Sequence, residues 1–184
     1  TGLRLAQQWR VRLGLPEKRE YDEVLRKLSP LPVEEGVYVS WENIERMWTS
    51  YNWEHPALVG AYGMLPGDGV DIPTMRRTLA KVHAEWKLGE TWGWDFPMLA
   101  MCAARLGDPE RAVEYLLDYP AFDFDPHGLV GGGRAPFPYF PGNGGLLYAV
   151  AMMAAGWDGA PAGDAPGFPE KGWVVRSEGL RRAL

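Results

Sequence analysis

The most regular hydrophobic pattern in the chain is a stripe of apolar residues at three- and four-residue intervals: Ile72, Met75, Leu79, Val82 and Trp86. That spacing is typical of one buried face of an α-helix, and it predicts a helix that begins after Asp71 and ends before Gly89. Shorter stripes of the same period predict further helices over residues 5–13, 21–28, 41–48, 57–65 and 146–155.

A nearly continuous apolar segment, residues 98–106, follows Asp95 and predicts a buried helix that ends at Gly107. Asp108 and Pro109 begin a further helical pattern at once, with a capping residue followed by a first-turn proline. A connection this short places two helices side by side in opposite directions. The sequence therefore predicts an αα-hairpin at this point.

Strand-like patterns are few in this chain. The run Val37-Tyr38-Val39 and residues 172–176 each predict a short strand. Residues 118–142 read as a long loop rich in aromatic residues, Gly and Pro, and loops of this length in compact domains are usually functional. Because helical patterns dominate and no strand–helix–strand alternation occurs, we predict a mostly α fold in a single helical domain over residues 1–184.

Aromatic residues are the excess in the composition, with nine Trp and eight Tyr in 184 residues. Several lie in Gly- and Pro-rich loops, where rings either stack on a flat ligand such as a sugar or plug the top of a helical core. The net charge of -5 argues against a nucleic-acid partner, and no apolar run is long enough to cross a membrane. The single Cys excludes an internal disulfide framework. The chain shows no signal peptide. Two alternatives stay open: the protein is cytoplasmic, or the chain is a fragment of a secreted protein.

Four segments carry recognisable motifs, namely His55 to Gly67, Trp92-Gly93-Trp94 with Ala-Arg-Leu-Gly-Asp at 104–108, Pro-Gly-Asn-Gly-Gly at 141–145, and residues 166–180. In order and spacing they resemble glycoside hydrolase family 95, which comprises (α/α)6 barrels of the α-L-fucosidase and α-L-galactosidase type. The resemblance covers most of the chain from about Trp41 onward. It implies a partial (α/α)6 toroid of antiparallel helix pairs, with long aromatic loops and minor β structure.

The resemblance also implies an inverting glycoside hydrolase with a carbohydrate partner and no cofactor. The chain then corresponds to the C-terminal portion of a larger six-hairpin barrel, and residues 160–184 lead toward a missing C-terminal β region. Either further copies in a homo-oligomer or a missing N-terminal portion is expected to complete the barrel. The chain departs from the family where Pro141 replaces the catalytic Asp and where Pro56 and Ala57 replace a sugar-binding Arg and His.

Inverting glycoside hydrolysis requires two carboxylates roughly 6.5–9.5 Å apart, and the catalytic candidates are Asp95 and Glu54. Asp95 lies beside two indoles at the start of a helix, where an ordinary N-cap is the alternative. The alternative for Glu54 is a solvated loop acid. The predicted substrate-binding residues are rings, histidines and an amide in the loops: Trp53, His55, Trp92, Trp94, His127, Tyr139 and Asn143.

Other interpretations of these polar residues remain open. His55 is alternatively a local structural donor, Asn143 alternatively caps the last helix, and His83 is predicted to be structural. Three His and one Cys without ligand spacing predict no metal site, and the run Gly131-Gly132-Gly133 lacks the strand and the Lys of a phosphate loop. Two functions follow: a glycoside hydrolase-like enzyme, or a non-catalytic helical module that binds sugar or assembles with a partner.

Overall fold

The computed structural model describes residues 1–184 and contains seven α-helices and one two-stranded antiparallel sheet. The predicted mostly α class is confirmed. The helices are α1 (Gly2–Arg12), α2 (Arg19–Arg26), α3 (Met47–Ser50), α4 (Ile72–Glu85), α5 (Asp95–Arg105), α6 (Pro109–Leu117) and α7 (Phe140–Ala155). The strands are β1 (Val33–Glu34) and β2 (Val37–Tyr38), and short 3-10 helices span Ala57–Ala61, Leu88–Glu90 and Pro120–Phe122.

The first compact unit, Thr1–Leu31, consists of α1 packed against α2. The side chain of Gln7 joins them, because its Nε2 donates to the Lys18 carbonyl at 3.1 Å and to Asp22 Oδ1 at 3.0 Å, while its Oε1 accepts from the Lys18 N–H. Gln7 is the buried residue of α1, and α2 has none. One polar side chain therefore organises this unit in place of an apolar core.

The second unit, Pro32–Leu184, is built around α5. All residues of α5 are buried, and both α6 and α7 pack against it. Gly107 ends the helix with a positive φ of +78°, and the Asp108 side chain accepts from the Arg111 N–H at the start of α6. The predicted αα-hairpin is confirmed.

Helix α4 packs against β2. Its predicted buried stripe is confirmed except at Ile72, which lies in the first turn and is 37% exposed. Met75, Leu79, Val82 and Trp86 are buried, and the Asp71 carboxylate accepts from the Thr74 N–H as an N-cap. The helix ends at Glu85. It was predicted to end before Gly89, so its end lies a few residues earlier than this limit.

Two predicted helices are shorter than their hydrophobic patterns indicate. In residues 41–48 only the last two belong to a helix, because Asn43 and Arg46 both adopt φ of +58°, a left-handed conformation that interrupts helical turns. The helix predicted over 57–65 is a 3-10 turn, Ala57–Ala61. It is followed by Gly63, which lies so close to α5 that a Cβ there would sit 2.9 Å from the Cys102 nitrogen.

Two further predictions at the C-terminal end are wrong. Residues 172–176 form no strand, since no neighbouring strand pairs with them and Val174 is 85% exposed. Helix α7 begins at Phe140, so Asn143 lies in its first turn and does not cap it. Helix α7 carries no charged residue, and Leu147 on it is 73% exposed. No helix in the structure combines the length and the apolar character that a membrane crossing requires.

Candidate functional site

A buried acid and a half-buried imidazole form the centre of the site. His55 lies just before the 3-10 turn Ala57–Ala61, and Asp95 is the first residue of α5. Their side chains meet across 40 residues of sequence, with His55 Nδ1 2.8 Å from Asp95 Oδ1. Asp95 has no exposed surface, whereas a third of the His55 side chain is exposed. The pair therefore presents the imidazole, and not the carboxylate, to solvent.

The Asp95 carboxylate does not cap its own helix. Its second oxygen, Oδ2, accepts from the Trp92 N–H at 3.0 Å, in the loop before α5. Burial raises the pKa of the Asp95 carboxyl group to about 6, although the charge and hydrogen bond of His55 and the Trp92 N–H act in the opposite direction. The charge of Glu54 adds to the increase. Asp95 thus holds its position through two bonds that favour its charged form.

The protonation of His55 follows from its neighbours. Nδ1 lies 2.8 Å from Asp95 and 3.0 Å from the Trp94 indole nitrogen, which only donates. One ring nitrogen cannot donate to the acid and accept from the indole at once. We assign the proton to Nδ1, because an unpaired buried carboxylate costs more free energy than an unpaired indole N–H. Nδ1 makes both of these contacts, and Nε2 has no hydrogen-bond partner within the protein.

Two tryptophans contact this imidazole and a third contacts one of them, and together we call Trp53, Trp92 and Trp94 the indole cluster. The Trp92 ring lies 4.2 Å from that of His55 at an interplanar angle of 37°, and the Trp94 ring meets it edge-on at 5.2 Å. Trp53 contacts Trp92 at 6.4 Å. Part of the Trp92 and Trp94 ring surface is thus in contact with His55 and is not available to a ligand.

Arg134 covers the remaining ring of the cluster. Its guanidinium carbon lies 4.0 Å from the centre of the Trp53 ring, a distance typical of a cation–π contact. Its Nη2 donates to Glu90 Oε2 at 3.1 Å. Arg134 was not among the residues predicted from the sequence, although the Gly131-Gly132-Gly133 run directly before it is a signal that the backbone passes unusually close to a neighbour there.

An aromatic cavity of about 460 Å³ opens on another side of His55. It is lined by Ser40, Trp41, Tyr51, Glu54, His55, Ala57 and Trp86. Trp41 and Tyr51 contact each other edge to face at 5.8 Å and are 54% and 41% exposed. We call this space the aromatic cavity. Sequence reasoning missed Trp41 and Tyr51, because their spacing placed Trp41 on the buried face of a helix that does not form.

The segment that carries Glu54 and His55 is fastened to the end of α4. The Asn52 side chain donates to the Glu85 carbonyl at 2.8 Å, and the Lys87 N–H donates to the Asn52 carbonyl at 2.7 Å. The Trp86 indole N–H donates to the Glu54 carbonyl at 2.6 Å. These three hydrogen bonds fix the wall of the aromatic cavity.

The remaining predicted site residues divide into two groups. Burial of Tyr139 raises the pKa of its hydroxyl, and the nearby charge of Asp95 raises this pKa further. Tyr139 therefore lies close to Asp95. His127 and Asn143 belong to another group: the His127 backbone N–H donates to Asp125, and the Asn143 amide donates to the Gly128 carbonyl. None of the hydrogen bonds or ring contacts of His127 and Asn143 reaches His55 or Asp95.

His83 lies apart from the site, in contact with α6. Its Nε2 is 3.0 Å from Arg111 Nη1, and its Nδ1 is 3.4 Å from the hydroxyls of Tyr115 and Tyr119. No group of three or more His, Cys, Asp and Glu side chains is arranged to hold a metal ion. The central site offers two hydrogen-bonding groups, the His55 imidazole and the Glu54 carboxylate, next to exposed aromatic rings.

Comparison of the chain with protein-family models, with curated proteins and with solved structures finds no match.

Proposed function

We propose that this chain is a carbohydrate-active protein that binds a glycan in the aromatic cavity, beside the exposed imidazole of His55. The observation that carries the proposal is the composition of that cavity, where two exposed rings stand next to a carboxylate and an imidazole. Sugar rings have an apolar face that packs on aromatic side chains and hydroxyls that bond to such polar groups. The resemblance to glycoside hydrolase family 95 supports the same class of ligand.

The proposal extends to the architecture. The hairpin of α5 and α6, with α7 also packed against α5, is consistent with part of an (α/α)6 toroid of the six-hairpin glycosidase type. The uncharged and partly exposed α7 is a surface on which further hairpins, from a second copy or from a longer chain, would complete that toroid. Light scattering after size-exclusion chromatography tests the homo-oligomer directly.

Hydrolysis is the second candidate function, and a specific observation favours it. Glu54 and His55 both line the aromatic cavity, and the buried Asp95 holds the imidazole by Nδ1, which leaves Nε2 without a protein partner. In this arrangement Asp95 acts through His55 as a positioning residue. A screen of nitrophenyl glycosides tests for turnover, with His55→Asn, Glu54→Gln and Asp95→Asn as variants. Binding without turnover in the wild type favours the non-catalytic module.

The decisive test of glycan binding is the replacement of an exposed ring. A panel of oligosaccharides is titrated against the wild type by calorimetry, and the tightest ligand is repeated with Trp41→Ala. Loss of one stacking ring is expected to weaken binding about threefold to tenfold. Trp9→Ala in the first unit is the matched control, because Trp9 is exposed to a similar extent, 57% against 54%. Absence of binding across the panel, or equal binding by both variants, would overturn the proposal.

A further inference from the structure

Arg134 is held in a manner suited to recognition of an anion. Its guanidinium carbon lies over the Trp53 ring, 4.0 Å from the ring centre, and a single nitrogen of the guanidinium is bonded to Glu90. The side chains of Arg134 and Glu90 are both about half exposed. An arginine stacked by its face keeps its N–H edge available for carboxylate or sulfate oxygens, which accept two parallel hydrogen bonds from it.

The backbone before Arg134 is constrained to bring it there. Gly132 has φ of +110°, and a Cβ on it would sit 2.5 Å from the Ala121 carbonyl oxygen. Gly133 forms an antiparallel bridge with Trp92, and a Cβ on it would overlap the Thr91 carbonyl oxygen. Only glycine satisfies both positions. The glycine run therefore presses its loop against the Trp92 loop and places Arg134 on the indole cluster.

Glu90 has a second cation within reach. Lys87 Nζ lies 4.0 Å from Glu90 Oε1, and Arg134 bonds to the other oxygen of the same carboxylate. If Arg134 binds a ligand and leaves Glu90, the Glu90 carboxylate still has Lys87 as a positively charged neighbour. Exchange of this half-exposed ion pair for a ligand anion therefore leaves no protein charge unpaired, and exposed pairs of this kind contribute little to stability.

Arg134 is connected to His55 by a continuous row of rings. The guanidinium rests on Trp53, the Trp53 ring contacts Trp92, and the Trp92 ring contacts His55. Glu54 lines the aromatic cavity, whereas Arg134 does not. The positive group of the site, Arg134, thus lies on the indole cluster, and the negative group, Glu54, lies in the aromatic cavity.

The geometry points to an acidic oligosaccharide as the ligand of this site, with Arg134 binding a carboxylate or sulfate group of one sugar while another sugar occupies the aromatic cavity. This inference rests on the proposed function, and it names the class of glycan.

The test compares glycans that differ only in charge. Trimers of galacturonate, glucuronate and mannuronate, each with its carboxyl-reduced partner, are titrated by calorimetry together with a sulfated galactan and its desulfated form. At least one acidic member is expected to bind about tenfold more tightly than its neutral partner at low salt, with a smaller difference near 0.2 M salt. A preference among the uronates alone assigns a carboxylate, and a preference for the galactan alone assigns a sulfate.

Variants locate that preference in one side chain. Arg134→Gln is expected to remove it, Arg134→Lys to retain part of it, and Glu90→Gln to increase it severalfold by releasing the guanidinium. Arg19→Gln is the control, since Arg19 also pairs with a glutamate, at 2.9 Å, and lies in the first unit. Far-UV circular dichroism verifies that each variant is folded.

The failures are distinguishable. If neutral members bind in a Trp41-dependent manner and no acidic member binds more tightly than its partner, the acidic-ligand inference is wrong and the proposed function stands. A preference that survives in Arg134→Gln also overturns it. If no glycan of either charge binds, the proposed function falls and the inference falls with it.

Discussion

Asp95→Asn is the substitution whose effect on stability depends most directly on the burial of the site. Asn keeps the shape of the side chain and an acceptor for the His55 N–H, but it carries no charge. Burial raises the Asp95 pKa from 3.8 to about 6 in the folded protein, so the folded state binds a proton more tightly than the unfolded state does. The stabilisation from a protonated Asp95 is therefore fully present below pH 4 and is lost as the pH rises through about 6.

The magnitude follows from the pKa difference. Each pKa unit corresponds to about 1.4 kcal/mol, so the increase from 3.8 to about 6 corresponds to about 3 kcal/mol. The free energy of unfolding of Asp95→Asn minus that of wild type is expected to increase by about this amount between pH 4 and pH 8, because only wild type loses stability over this range. Full burial of Asp95 means that solvent screens little of this effect.

The assay is urea unfolding followed by tryptophan fluorescence at pH values across this range. Groups that titrate equally in both proteins cancel in the difference. Asp123→Asn, which removes an exposed carboxylate, serves as the control and is expected to give a nearly flat difference. The same comparison in a His55→Asn background removes the contribution of the imidazole. A flat difference for Asp95→Asn, or one that falls as the pH rises, would refute the conclusion that burial dominates the energetics of this acid.

Two further predictions concern packing. Gly133→Ala is expected to destabilise the protein by about 3 kcal/mol or more, because the new methyl group overlaps the Thr91 carbonyl. Gly69 also has a positive φ, +78° against +46° for Gly133, but has open space around it, so Gly69→Ala is expected to cost only about 1 kcal/mol. Thermal unfolding measures both effects. Cys102 is fully buried, and burial raises the pKa of its thiol, so a thiol-specific disulfide reagent is expected to modify it only in denaturant; rapid reaction of the native protein would contradict this.

Helices α4, α5 and α6 were predictable because their signals are local. The buried stripe Met75, Leu79 and Val82 lies within α4, and the capping residues Asp71 and Asp108 directly precede α4 and α6. The pattern over residues 41–48 predicted a helix that backbone conformation overrides at Asn43 and Arg46. The spacing of apolar residues does not indicate where the backbone adopts a left-handed conformation. The Asn at position 43 was a weak signal, because Asn is one of the few residues enriched in that conformation.

Half of the site was also visible in the sequence. Trp53-Glu54-His55 and Trp92-Gly93-Trp94-Asp95 were each identified as groups of chemically useful side chains. That the two groups meet, and that Asp95 bonds to His55 in place of capping α5, depends on packing between segments 40 residues apart, which no local pattern encodes. Arg134 was missed for the same reason, since its partner Trp53 is remote in sequence.

The hydrogen bonds that fasten residues 52–54 to the end of α4 have a consequence for affinity. The wall that carries Glu54 and His55 is immobilised when the protein folds, well before any ligand arrives. A ligand that enters the aromatic cavity therefore loses little affinity to the ordering of this wall. The entropy of assembling the pocket belongs to the folding reaction, so loosening the Asn52 and Trp86 tethers would weaken binding without removing a single ligand contact.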